Sequence, residues 1–117
     1  MTRDTKLYIE DILKSIEKIE DYVMDYDEEK FLNNEQIQDA VVRRLEIIGE
    51  AIKNVSKSIK EDYPLIPWKE IAGFRDIIVH AYFGINMKRV WLVIENDLPK
   101  LKENIKKILK NNKNGTP

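Results

Sequence analysis

Apolar residues spaced three and four apart recur through almost the whole chain, and this spacing constrains the fold more than any other feature. Three long stripes follow it: Ile9, Ile12, Ile16, Ile19 and Val23; then Ile37, Val41, Leu45, Ile48, Ile52, Val55 and Ile59; then Met87, Val90, Ile94, Leu98, Leu101, Ile105 and Ile108. This is the period of an amphipathic α-helix, and no segment shows the alternation of a strand. The sequence therefore predicts an all-α fold, an antiparallel four-helix bundle.

Capping residues and helix breakers divide the chain into four predicted helices. Asn34 is a plausible N-cap, and the helix that it starts should end just before Pro64. Pro67 suits the first turn of a third helix, which Gly84 should stop at about residue 82 or 83. Pro99 lies inside the last stripe, which keeps its register, so we predict a helix kinked or split there. Residues 1–110 are predicted to form one helical domain and residues 111–117 a flexible tail.

Composition excludes several classes of protein. The chain has 117 residues, no cysteine and a single histidine, so it predicts one domain without disulfides, without a multi-histidine metal site in one chain, and without a cofactor. No apolar run approaches the roughly 18 residues that span a bilayer, and the first residues lack a signal-peptide core, so we predict a cytoplasmic protein. The net charge of −1 argues against a broad basic face, so any contact with nucleic acid should be local.

The third predicted helix contains a residue that does not fit its own pattern. On a wheel of residues 68–83, Arg75 falls in the middle of an apolar arc. A buried guanidinium must meet an acid, reach a cleft or face a partner subunit. One alternative is a structural ion pair with Glu46 or Glu50 of the second helix. For His80, one alternative is a surface pair with Asp76, one turn earlier.

The segment from Gly73 to Phe83 resembles the signature of HepT-like proteins of the HEPN superfamily. That signature is an arginine, four residues, a histidine, one residue and a tyrosine, which match Arg75, His80 and Tyr82. The sequence Ile48-Gly49-Glu50-Ala51 resembles the family's second-helix motif, and Pro67-Trp68 its lead-in to the third helix. Gly49 in mid-helix also suggests a close approach between helices. Family members often carry Asn where this chain has Asp76.

The resemblance implies a dimeric, metal-independent endoribonuclease that acts as the toxin of a type VII-like toxin–antitoxin pair. Arg75 and His80 would be catalytic, with Asp76 in a supporting position. The implied partner is a minimal nucleotidyltransferase antitoxin, which silences the toxin by transferring AMP to the tyrosine that corresponds to Tyr82.

The residue types suit RNA cleavage, but their spacing presents a difficulty. Histidine can move protons near neutral pH, and arginine can stabilise the charge of a phosphorane. Five residues along an ideal helix turn the side chain by about 140°, so Arg75 and His80 cannot point the same way from one intact helix. Either the helix unwinds near His80, or a twofold axis places the residues of two chains around one cleft. Glu46, Glu50, Arg43 and Arg44 are candidates to line that cleft.

Two other functional hypotheses stay open at this stage. In the first, the chain is a non-catalytic dimeric partner that binds and restrains a nucleotidyltransferase, which the acidic balance and Asp76 favour. In the second, the chain is a helical bundle with no site, and Arg75 is a structural ion pair.

Overall fold

The computed structural model describes the backbone of residues 1–82 and 86–115 and the side chains of residues 1–79 and 86–111. Its elements are α1 (Arg3–Tyr22), α2 (Glu28–Leu32), α3 (Glu35–Asn54), α4 (Lys57–Asp62), α5 (Trp68–Ala72), α6 (Phe74–Tyr82), α7 (Met87–Leu92), a π-helical segment (Val93–Asp97) and α8 (Leu98–Gly115). No strand occurs in these ranges. The predicted all-α fold is confirmed.

The helices pack as four columns around one core. The first column is α1, the second is α3, and the third is α5 with α6. The first column packs along the second and also against α8, and the second column contacts the third. The fourth column runs from α7 through the π segment into α8, and α7 also contacts α2 and α6. Each column buries its apolar stripe, and the fully enclosed side chains include Ile9, Ile12, Ile16, Ile19, Leu45, Ile48, Ile105 and Ile108. Burial of each such side chain contributes about 1.5–3 kcal/mol, which makes this core the main source of stability.

Asn34 caps its helix as predicted, and Asn86 caps α7 in the same way. The side-chain oxygen of Asn34 accepts a hydrogen bond from the backbone N–H of Ile37 at 3.0 Å, and its amide nitrogen donates to the Tyr26 hydroxyl at 2.8 Å. Asn86 accepts from the N–H of Arg89 at 3.2 Å and so begins α7. The first helix ends at Tyr22, and Asp27 then caps the separate short helix α2.

The second predicted helix is interrupted, contrary to our expectation of one helix from residue 34 to residue 63. It ends at Asn54, and α4 starts two residues after Val55. The Ser56 hydroxyl accepts a hydrogen bond from the N–H of Ile59 at 3.4 Å and so caps α4. Val55 and Ile59 are both buried across the break. The apolar stripe therefore continues where the helix does not.

The third predicted helix is also two helices, and they meet at Gly73. The N–H of Gly73 donates to the carbonyl of Lys69 at the end of α5, and its own carbonyl accepts from the N–H of Asp76 in α6, each at 3.0 Å. A Cβ at Gly73 would lie 3.1 Å from the carbonyl oxygen of Glu70, so the tight junction favours glycine. The described part of the helix reaches Tyr82, and the predicted stop residue, Gly84, lies outside the described residues.

The last column continues through Pro99, so of the two predicted options there, a kink or a split, the split does not occur. The turn before Pro99 is wider than an α-turn, because the N–H of Leu98 donates to the carbonyl of Val93, five residues earlier. Proline has no N–H, and its ring crowds the carbonyl four residues earlier, so a wider turn accommodates it. The helix α8 extends to Gly115, past residue 110. The flexible tail over residues 111–117 stays a prediction.

Candidate functional site

Arg75 lies in the first turn of α6 and pairs with α3. Its Nη1 donates a hydrogen bond to Oε1 of Glu50 at 3.0 Å. The Arg75 side chain is 61% exposed and that of Glu50 is 50% exposed. The ion pair with Glu50 that we considered is therefore present, but it is a surface pair and not a buried one.

The predicted apolar surroundings of Arg75 were wrong, because the wheel assumed one helix from residue 68 to residue 83. Because the helix is broken at Gly73, the buried face of α6 does not continue the apolar arc drawn for one helix. The residues that α6 buries are Phe74, Ile77 and Ile78. Val79, one turn after Arg75, is 47% exposed. Arg75 and Val79 thus lie on a face of α6 that the rest of this chain leaves open to solvent.

The other predicted site residues lie on the same helix. Asp76 is exposed in the first turn of α6, where a carboxylate is favoured by the helix dipole. The backbone of α6 is helical through His80 to Tyr82. The option that the helix unwinds near His80 is therefore wrong. The side chains of His80 and Tyr82, and any pair between His80 and Asp76, lie outside the described residues.

A row of ion pairs on α3 lies beside Arg75. Nζ of Lys53 lies 3.6 Å from the same Oε1 atom of Glu50 that Arg75 contacts. One turn earlier, Nη1 of Arg43 donates to Oε1 of Glu46 at 2.7 Å. Sequence reasoning missed Lys53, although its place three residues after Glu50 predicts a contact on one helix face. Glu50 is thus shared by two cations.

A small cleft of about 270 Å³ lies between α1 and α3 at this row. Its lining includes Glu46, Glu50 and Arg43 but not Arg44. The cleft predicted for these four residues is a different one, between two chains beside the third helix, and it stays a prediction. A larger groove of about 640 Å³ runs between α5–α6 and the last column, and Arg75 does not line that groove. The site residues that the structure describes therefore occupy an open surface beside a shallow cleft.

The expected approach of another helix at Gly49 is present, but it is not so close that it requires glycine. Gly49 is buried where α3 faces α5, but a Cβ there would lie 4.0 Å from the nearest atom outside its own helix, the carbonyl oxygen of Ala72. That is an ordinary van der Waals distance, so a methyl group fits.

The family model described as "Ribonuclease HepT-like" matches residues 12–108. The chain belongs to the HepT-like family. The match covers every helix that carries a candidate site residue, from α3 to α6. It confirms the resemblance inferred from Arg75, His80 and Tyr82.

Individual relatives agree with this assignment. A Thermococcus cleftensis protein named a probable ribonuclease HepT is 44% identical over 94% of this HepT-like chain and 100% of its own length. A Methanocaldococcus jannaschii protein provisionally named an RNase is 44% identical over 92% of the chain and 93% of its own length. No solved structure matches the chain.

A second kind of relative is longer. Another M. jannaschii protein, named a gamma-glutamylcyclotransferase and provisionally an RNase, is 50% identical over 97% of this HepT-like chain. The chain spans 54% of that relative's length.

None of the helices described here is both long enough and apolar enough to cross a membrane.

Proposed function

We propose that this HepT-like chain is a metal-independent endoribonuclease, the toxin of a type VII-like toxin–antitoxin pair. Arg75 and His80 are the catalytic residues, and Asp76 supports them. The active unit is a dimer. A minimal nucleotidyltransferase silences it by transferring AMP to Tyr82.

The observation that carries this proposal is the exposed guanidinium of Arg75. An arginine has five N–H donors, and among the described residues one donor of Arg75 has a protein acceptor, the Glu50 carboxylate. The ion pair holds the side chain against α3, and the side chain is 61% exposed. An arginine presented in this way suits a phosphate, which accepts charge-assisted hydrogen bonds from a planar fork.

The cleavage reaction needs no group beyond these side chains and the RNA. The 2′-oxygen attacks the adjacent phosphorus, the bond from phosphorus to the 5′-oxygen breaks, and a 2′,3′-cyclic phosphate and a 5′-hydroxyl form. A neutral His80 takes the proton of the 2′-hydroxyl, and a protonated histidine returns one to the leaving 5′-oxygen. Arg75 stabilises the extra negative charge on the phosphorane.

The spacing on α6 favours a site shared by two chains. Because the helix is intact through Tyr82, residues 75 and 80 are separated by about 140° around its axis. Each chain holds one histidine, whereas the reaction uses a base and an acid. A twofold axis beside α6 supplies both, and the exposed Val79 next to Arg75 is an apolar contact suited to a partner. Sedimentation velocity should show a dimer at micromolar concentration, whereas a monomer would contradict the shared site.

AMP on Tyr82 would block the same surface. Residues 75 and 82 lie within about 20° of one another around the unbroken helix, two turns apart. The phosphate of the AMP group would compete with RNA for Arg75. Tyr82→Phe should therefore keep cleavage activity but escape silencing by the nucleotidyltransferase and ATP, with the mass of each protein as the readout. Gain of AMP by Tyr82→Phe would place the acceptor elsewhere.

The decisive experiment is cleavage of single-stranded RNA by the purified, unmodified chain in EDTA. We expect cyclic phosphate ends, and we expect Arg75→Ala and His80→Ala each to abolish cutting without loss of helical content. Arg89→Ala is the matched control, because Arg89 is an exposed arginine on α7 that lines the larger groove, which Arg75 does not line. A requirement for added metal, or activity that survives His80→Ala, would refute the mechanism.

A second candidate function is a non-catalytic dimeric partner that binds and restrains a nucleotidyltransferase. The Glu50 carboxylate at 3.0 Å from Arg75, and the neighbouring Asp76, favour it because both oppose an incoming phosphate. A chain that binds the nucleotidyltransferase but never cuts RNA would support this alternative.

A further inference from the structure

Three charged side chains share one carboxylate oxygen at the junction of α3 and α6. Oε1 of Glu50 lies 3.0 Å from Nη1 of Arg75 and 3.6 Å from Nζ of Lys53. We propose that Lys53 and Arg75 together bind one phosphate group of the RNA backbone, and that Glu50 occupies this position until the phosphate displaces it. This proposal rests on the proposed function, since it adds a substrate-binding residue to the same site.

The distances allow one phosphate to bridge the two cations. Because both nitrogens contact one oxygen atom, they are at most 6.6 Å apart, the sum of the two distances. Two oxygens of a single phosphate, each accepting a charge-assisted hydrogen bond of about 2.8 Å, reach across about 8 Å. The phosphate therefore fits between Arg75 and Lys53 without a movement of either helix.

The local charge also favours a phosphate. Arg75 and Lys53 carry two positive charges against the single negative charge of Glu50, which leaves a net charge of +1. The adjacent Asp76 forms no ion pair with either cation among the described residues, although its exposed carboxylate opposes the phosphate. The whole chain has a net charge of −1, so this cluster is a local positive site of the kind that the charge balance requires for RNA contact.

The carboxylate of Glu50 is held weakly enough for a phosphate to displace it from Arg75 and Lys53. Its side chain is 50% exposed, Lys53 is 46% exposed and Arg75 is 61% exposed. Ion pairs at such exposure are weak, because water screens both charges. A phosphate provides two accepting oxygens in place of one shared carboxylate oxygen, and the released carboxylate returns to water.

The test uses a single-stranded 2′-O-methyl RNA, which cannot be cleaved because the attacking hydroxyl is blocked. Its affinity for the full chain is measured by fluorescence anisotropy over a series of salt concentrations. Lys53→Gln should weaken binding about fivefold and reduce the slope of log affinity against log salt by about 0.7, the value for one phosphate contact on a single strand. Glu50→Gln should tighten binding about threefold, because it removes the competing charge and keeps a hydrogen-bond acceptor for Arg75.

The matched control is Lys57→Gln, since Lys57 is an exposed lysine four residues further on, at the start of α4, with its own glutamate partner, Glu61, at 4.0 Å. It should leave both the affinity and the slope unchanged. The proposal is overturned if Lys53→Gln behaves like this control, if Glu50→Gln weakens binding, or if the unsubstituted chain does not bind the RNA at low salt. Cleavage is scored separately on ordinary RNA, so a chain that binds as expected but does not cut would refute the ribonuclease and keep this phosphate site.

Discussion

Gly49→Ala is expected to stabilise the protein, although Gly49 is buried in the middle of α3. A glycine inside a helix costs about 1 kcal/mol relative to alanine, because its backbone loses more freedom on folding. The new methyl group would meet its nearest neighbour outside the helix, the carbonyl oxygen of Ala72, at 4.0 Å. The substitution therefore gains the higher helix propensity of alanine without a steric penalty.

The size of the effect follows from the length of the chain. Unfolding entropy near the midpoint is about 2.1 cal/mol/K per residue, which for 117 residues gives about 0.25 kcal/mol/K. A gain of about 1 kcal/mol should therefore raise the melting temperature by about 4 °C. Thermal unfolding followed by circular dichroism at fixed protein concentration measures this shift.

Gly73→Ala is the matched substitution with the opposite expected sign. A Cβ there would lie 3.1 Å from the carbonyl oxygen of Glu70, so backbone at the junction of α5 and α6 must move. We expect a loss of about 1 kcal/mol, typical of modest overpacking. Equal shifts for the two variants, or a lower melting temperature for Gly49→Ala, would refute the steric reasoning.

Two further substitutions test a cap and an ion pair. Asn34→Ala should cost about 1 kcal/mol in urea unfolding, because Ile37 loses its side-chain acceptor and the Tyr26 hydroxyl loses a donor; an unchanged midpoint would show that the cap is dispensable. The hydrogen bond to Glu20, at 2.7 Å, raises the pKa of Lys102. A raised pKa in the folded state stabilises the protein below the unfolded value of about 10.4 and loses this effect at higher pH. Lys102→Met should therefore lower the free energy of unfolding by a constant amount near neutral pH, and the deficit should shrink above about pH 10.5; a deficit that grows there would contradict this.

The long helices were predictable because their apolar stripes are regular and their caps are local. The Asn34 cap and the stripe of α3 placed Glu50 on the second helix, and one hypothesis paired it with Arg75. The cap and the stripe depend on residues within a few positions of one another, and so the sequence alone contains them, whereas the pair with Arg75 was one of several alternatives.

The helix breaks were not predictable from the same pattern, because the stripe continues through them. Val55 and Ile59 are buried on both sides of the Ser56 cap, so the apolar spacing gives no sign of the break. At Gly73 the consequence reaches the site, since the change of phase moves Arg75 from an expected apolar arc to the surface. The contact between Arg75 and α3 depends on this tertiary arrangement, which the spacing along one helix cannot specify.

The packing of α1 against α8 has a consequence for how the protein is made. Synthesis proceeds at about 5–20 residues per second, so about 3–12 s pass between completion of α3 and completion of α8. During that interval α1 and α3 can pair, but the strip of α1 that α8 covers stays exposed on the nascent chain. A message that ends before residue 98 would thus yield a chain with an open core, prone to aggregation and proteolysis. Completion of the last helix is therefore the step at which the bundle closes, and any activity that needs an intact bundle begins only then.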